Sequence, residues 1–222
     1  MRVLFLTAGD RGRGEPVKRS RLRWRPESMV RVIAGQFRSR RLKTVEGRGT
    51  RPTSDRLKET LFDLLQSDLA DCCFLDCFAG CGSIGIEALS RGVRLAVFVE
   101  SSVRASHVIQ SNLALLGLST SSCQWLLTMK ADSAFQILEQ SATQFDIIFL
   151  DPPYSAVGQY PIVLEQLQRR KLLTDSAIVI AEHSKHIDLV PRIKDLARFR
   201  KVQQGDSVLS LFRRERERKT TL

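Results

Sequence analysis

The sequence predicts a doubly wound α/β fold around a mostly parallel sheet, and three observations predict it. Short apolar runs ("CCFLDCF", "LAVFVE", "CQWLLTM", "FDIIFLD" and "AIVIAE") are separated by stretches with helical apolar spacing. Continuous apolar strands between helices mean a sheet covered on both faces. A glycine-rich loop follows the first of these runs directly. Last, "FRKVQQGDSVLSLFRR" reads as a hairpin turning at Gly205–Asp206, which adds an antiparallel edge. Five runs and two hairpin strands make a seven-stranded sheet.

The elements follow in chain order. Residues 1–28 are rich in Arg, Gly, Pro and Ser without apolar period, so a disordered basic extension is expected, and Met29 is a candidate start of translation. Residues 29–56 contain "VRVIAGQFRSRRLKTV", which alternates apolar and polar residues on both sides of a turn and predicts a basic β-hairpin. Residues 57–222 form the main domain. In "LKETLFDLL", Leu57, Leu61 and Leu64 recur at helical spacing with Phe62 and Leu65 beside them, and Ser54 or Asp55 can cap the helix. Further helices are expected at "SIGIEALSRG", "VRASHVIQSNLALLG", "SAFQILEQ" and "YPIVLEQLQRR".

Charge divides the chain. From Met1 to Arg56 there are 16 Lys and Arg against 5 Asp and Glu; from Leu57 onward the two are equal at 19. The whole net charge of +11 therefore sits on the first quarter. A basic arm on a neutral body suits an enzyme that acts on a polyanion, because phosphates are neutralised by clustered cations. Arg38, Arg40, Arg41, Arg51 and Arg56 are the candidate nucleic-acid contacts. No apolar run approaches the roughly 20 residues of a membrane span, and the start is interrupted by charge too soon for a signal peptide. A cytoplasmic monomer is expected.

Cys72, Cys73, Cys77 and Cys81 cluster without a C-x-x-C pair and run from a strand into a loop, so free thiols in a reducing compartment are expected rather than a metal site. The pair His183 and His186 in "EHSKH" lacks further ligands nearby, and a surface turn is expected there.

The loop in "FLDCFAGCGSIGIEAL" sets Gly80, Gly82 and Gly85 between strand and helix, the G-x-G-x-x-G spacing of a dinucleotide site. Glu100, at the tip of the next strand, suits a ribose. Both a nicotinamide dehydrogenase and a methyltransferase fit so far. Asp76, at the strand end before the glycines, separates them, because a carboxylate there repels a pyrophosphate and suits an ammonium. The second separating feature is "FDIIFLDPPYS". Pro152 and Pro153 end the strand and fix its backbone. The Asp151 carboxylate and the Pro152 carbonyl then become rigid acceptors, with Tyr154 as a face on which a base can stack. Two acceptors and a ring would hold an exocyclic amino group, and hydrogen bonds to it favour the geometry in which its lone pair attacks a methyl.

With these residues in view, the chain resembles the class I S-adenosylmethionine-dependent N-methyltransferases of Rossmann-like fold that carry "[DN]-P-P-[YF]". It resembles more closely the bacterial family that methylates N2 of a guanine in 16S ribosomal RNA. The resemblance runs from about Arg31 to Phe212 over "RVIAGQFRSRRL", "RPTSDRLKETLFDLL", "LDCFAGCGSIGIEALSRG", "FVE" and "DIIFLDPPY". It implies S-adenosylmethionine as cofactor, with Asp76, Phe78, Ala79 and Gly80 at its methionine end. Glu100 would take the ribose, Ser101 would lie by the adenine, and Asp132 would approach the adenine amino group. Asp151, Pro152, Pro153 and Tyr154 would hold the guanine, and Arg51 and Thr53 would border the entrance. Where the family often has an acid two residues past the ribose carboxylate, this chain has Ser102. The implied partner is 16S rRNA or a partly assembled small ribosomal subunit. Two other readings are an amino-methyltransferase acting on adenine N6 and a non-enzymatic RNA-binding assembly factor. The basic hairpin disfavours the former, and the intact site disfavours the latter.

Overall fold

Two opposite faces of one sheet are buried, and the strand sequences dictate it. The computed structural model describes residues 30–45, 53–153 and 158–215. The 1–28 extension, Met29, Arg51 and Tyr154 lie outside the described residues.

The chain enters as two short strands, β1 (Val30–Arg31) and β2 (Arg41–Leu42), paired antiparallel. Helix α1 (Asp55–Leu64) follows, and the Ser54 hydroxyl caps it by accepting from the Leu57 N–H. Then come β3 (Cys73–Cys77), α2 (Ser83–Ser90), β4 (Leu95–Glu100), α3 (Val103–Leu115) and β5 (Gln124–Thr128). Next are α4 (Ala131–Gln140), β6 (Phe145–Leu150), α5 (Gln159–Arg169) and β7 (Leu173–Ser184). The chain closes with β8 (Arg192–Ile193), β9 (Leu196–Gln204) and β10 (Ser207–Arg214). The sheet order is β5-β4-β3-β6-β7-β10-β9-β8, parallel through β7 and antiparallel beyond. The seven expected strands are all present, and the two-residue β8 adds an eighth at the edge.

Alternate residues of each central strand go to opposite sides. Phe74, Ile147 and Phe149 face α1, α2 and α3, whereas Leu75, Ile148 and Leu150 face α4 and α5. Both sides are apolar, so the strands read as unbroken runs. Strand β7 is longer than "AIVIAE". It carries His183 into the sheet, buried, with Nε2 against the Ser210 hydroxyl at 2.9 Å. The expected surface turn therefore holds only His186, because β10 pairs with β7 as far as Ser184.

The basic N-terminal segment is fastened to the body by buried polar side chains. Val30, Val32 and Leu42 enter the core beside α1 and α2. The carboxylate of Glu87, fully buried on α2, accepts the Ile33 and Ala34 N–H groups at 2.7 and 2.9 Å and the Arg91 guanidinium at 2.9 Å. The Ser90 hydroxyl accepts from Phe37 N and donates to the Ala34 carbonyl. Gly35 lies over that helix end with φ +80°, and a Cβ there would stand 1.8 Å from the Ser90 carbonyl oxygen. Asn112 on α3 pairs with both the N–H and the carbonyl of Lys43, and also donates to the Cys81 carbonyl. The arm thus rests at a fixed place beside the glycine loop.

Candidate active site

The chain runs β3, β4, β5 outward, then returns to place β6 on the other side of β3. In an open α/β sheet, such a reversal opens a crevice at the carboxyl ends of the strands. A cavity of about 420 Å³ lies there. Its walls include Asp76 from the end of β3, Glu100 from β4, Asp151 after β6 and Glu182 from β7. Thr44 and Val45 of the N-terminal segment, Thr53 ahead of α1 and Gln159 of α5 complete its rim.

The glycine loop earns its residues by geometry. Phe78 and Ala79 both donate backbone N–H groups to the Val99 carbonyl at 3.0 Å, which bends the chain sharply out of β3. Gly82 caps α2 with φ +78°, a left-handed conformation open to glycine. Gly85 is needed for a different reason. A Cβ on it would stand 2.3 Å from Phe98 Cε1, so α2 packs on β4 only without one. Gly80 and Phe78, both with positive φ, line the cavity with Ala79.

Glu100 is fixed by two backbone donors, Gly80 N at 2.8 Å and Ser102 N at 2.7 Å, one to each oxygen. Ser102 caps α3 through its hydroxyl and lines the cavity with Ser101. Asp76 is 2 % exposed, and one of its oxygens accepts the Gly85 N–H at 2.8 Å. Burial pushes its carboxyl up to about 7, against the pull of the Gly85 bond, and Glu100 adds to the rise. Burial also raises Asp151 well above the usual carboxylate range, with Glu182 and Asp76 adding repulsion. Asp151 accepts no hydrogen bond from the described residues. Glu182 is raised by burial, while the Ser207 and Thr53 hydroxyls, each at 3.2 Å, draw it back. Pro152 is buried and Pro153 exposed, and both line the cavity.

The sequence-predicted residues thus converge, with exceptions. Asp132 is not brought in. It stands in the first turn of α4, its carboxylate 3.1 Å from the guanidinium of Arg170 just past α5, and it does not line the cavity. Arg38, Arg40, Arg41 and Arg56 are exposed and lie outside the cavity lining. Sequence reasoning missed Glu182, although it too is an acid at the carboxyl end of an apolar strand. Among the described residues, the lining holds four carboxyls and no Lys, Arg or His. A pyrophosphate would find no cationic side chain there, whereas a cationic ligand with amino donors would find acceptors.

Comparison with known proteins identifies relatives over most of the chain. The family model described as conserved hypothetical protein 95 matches residues 30–213. The ribosomal RNA small subunit methyltransferase D of Escherichia coli (strain K12) is 32% identical over 186 residues, which cover 84% of this chain and 90% of that protein. The ribosomal RNA small subunit methyltransferase D of Haemophilus influenzae is 39% identical over 125 residues, 56% of this chain and 64% of that one. A solved Escherichia coli structure, the yhhF protein, superposes with a TM-score of 0.71 at 30% identity, covering 84% of this chain and 98% of its own.

Proposed function

The chain belongs to the family described as conserved hypothetical protein 95, and from that membership we propose that it transfers a methyl group from S-adenosylmethionine to the exocyclic N2 amino group of a guanine in 16S rRNA. Its fold is that of a class I methyltransferase. The observation that carries the reading is the all-carboxylate cavity at the reversal of strand order, with the Asp151–Pro152 corner on its wall. The name of the Escherichia coli relative supports ribosomal RNA of the small subunit as substrate.

The residues present fit the cofactor. Asp76, with Phe78, Ala79 and Gly80, offers a carboxylate and a backbone turn to an amino-acid ammonium. Gly82 and Gly85 shape the turn, Glu100 faces the ribose hydroxyls, and Ser101 lies toward the adenine. Bound S-adenosylmethionine supplies an electrophilic methyl on a positively charged sulfur. The protein's part is positioning and electrostatics. The Asp151 carboxylate and the Pro152 carbonyl accept the two N–H groups of the target amine, which turns its lone pair out of conjugation with the ring. Pro153 stiffens the corner, and Tyr154, outside the described residues, stacks on the base. As the new C–N bond forms, the amine loses one proton, and Asp151, whose burial raises its affinity for protons, takes it at a carboxylate oxygen.

Residues 29–56 form the RNA-binding element. Arg38, Arg40, Arg41 and Arg56, with Arg51, follow the phosphates, and the clamp on Glu87, Ser90 and Asn112 keeps that path in register with the cavity. The partner is 16S rRNA or a partly assembled small subunit, met by a monomer in the cytoplasm. Among the described residues, no helix is long and apolar enough to cross a membrane.

Radiolabelled methyl transfer onto total RNA from cells lacking the protein, followed by nucleoside mapping, tests the reading. The label is expected in N2-methylguanosine of the small-subunit RNA. Label in N6-methyladenosine instead would replace this substrate with adenine.

A further inference from the structure

The roles above leave one cavity acid without a task. Glu182 ends the apolar stretch of β7, next to β6, and its side chain shares the face of the sheet that carries Asp76 and Asp151. It is 7% exposed and lines the cavity. Its setting is built. The Thr53 hydroxyl donates to one carboxylate oxygen and the Ser207 hydroxyl to the other, so elements ahead of α1 and at the start of β10 converge on it. The Tyr160 hydroxyl holds the Glu182 main-chain carbonyl, fixing the backbone beneath. Two hydroxyl donors favour the ionised, acceptor-only form of the side chain. A buried carboxylate with this support, beside the corner that receives an amino group, has a chemical meaning that depends on the base.

Guanine, adenine and cytosine each carry an exocyclic amine. Only in guanine is that amine flanked by a ring N–H, at N1. Beside the adenine amine the ring nitrogens N1 and N7 present lone pairs, and beside the cytosine amine N3 does the same. An acceptor placed next to the amine site therefore attracts guanine and repels the other two.

We propose that Glu182 is the specificity-determining residue of the site, its carboxylate accepting the N1–H of the target guanine beside the amine held by Asp151 and Pro152. The inference rests on the guanine reading above and assigns that choice to one side chain. Thr53 and Ser207 serve as positioning residues for it. A hydrogen bond to a charged acceptor discriminates by roughly ten- to a hundredfold when the donor is missing.

The test uses the full chain and a ribosomal RNA fragment bearing the mapped acceptor position as guanine, 2-aminopurine or adenine. 2-Aminopurine keeps the C2 amine and lacks the N1–H. It also lacks O6, so the informative quantity is how the guanine-to-2-aminopurine ratio of kcat/KM changes on mutation, a double-mutant comparison. Wild type is expected to prefer guanine by about tenfold or more. E182A, which removes the acceptor, is expected to bring the ratio near unity, and E182Q, whose amide keeps an acceptor oxygen but can also donate to adenine N1, is expected to raise N6-methyladenosine formation on the adenine fragment. S207A, a gentler change, is expected to lower the ratio in the same direction by less. S-adenosylmethionine affinity and melting temperature of each variant report folding separately. A wild type that methylates guanine and 2-aminopurine equally, or an E182A enzyme that folds and keeps the wild-type ratio, overturns the role of Glu182 while leaving guanine as substrate. Wild-type label found only on adenine overturns the guanine reading itself.

Discussion

Two regions of this molecule place polar side chains out of full contact with water, and the acids there are partnered differently. Under the N-terminal segment, Glu87, Ser90 and Asn112 are buried and each is matched by backbone or side-chain partners. In the cavity, Asp151 is half-buried and accepts no hydrogen bond from the described residues, and Asp76, buried, has one bond to a single oxygen, whereas Glu182 is held by two hydroxyls. Carboxylates short of partners in a partly desolvated cavity are unfavourable to the fold, and a ligand with N–H donors would satisfy them. The first region holds a shape; the second waits for a ligand.

Removing an acid from each region separates the two roles. The largest expected effect is on catalysis. Asp151→Ala should lower turnover by about 10²-fold or more while cofactor affinity measured by calorimetry stays near normal. Unchanged turnover would refute the assigned role. Glu87→Ala should instead unfold more readily, by about 3 kcal/mol in urea titration, because two backbone N–H groups and a guanidinium lose a buried acceptor together. If its stability matches wild type, the clamp is not what holds the arm.

Titration sharpens the contrast. The Asp76 carboxyl rises from 3.8 in an open chain to about 7 in the fold. The native state then holds its proton longer, so the stability contributed by Asp76 is present below pH 4 and is lost as pH climbs through 7. The unliganded protein should become less stable across that window, and Asp76→Asn should flatten the decline. Cofactor binding runs the other way, since an ammonium wants the ionised acid: its Kd should grow about tenfold per unit as pH falls below 7. A pH-independent Kd would detach Asp76 from the cofactor. The smallest effect concerns the arm's outer surface. Replacing Arg38, Arg40 and Arg41 with Gln should leave stability alone and reduce the slope of log K against log salt for RNA binding by roughly 2 to 3. An unaltered slope would move the RNA path elsewhere.

The contrast also explains what could be read from the residues alone. Strands β3 to β7 announce themselves because both sheet faces are apolar, and Asp76, Glu100 and Asp151 stand out as acids interrupting those runs. Glu182 obeys the same rule in "AIVIAEHS". The two histidines beside it suggested a turn, and only the pairing of β10 with β7 shows the strand continuing through His183. Asp132 went the other way, since the direction of a helix's first turn depends on a neighbour, here Arg170, that no local pattern reveals. The clamp was equally invisible, because Glu87 and Asn112 look like ordinary polar positions on amphipathic helices until the segment they hold is folded against them.

Strand β10 lies inside the sheet, flanked by β7 and β9, yet it is the last strand translated among those described. Ser207, at its start, supplies one of the two hydroxyls that hold Glu182. A nascent chain can therefore assemble the glycine loop and the Asp151 corner while the base-reading wall is still unfinished. Glu182 thus gains its full support only once β10 has joined the sheet.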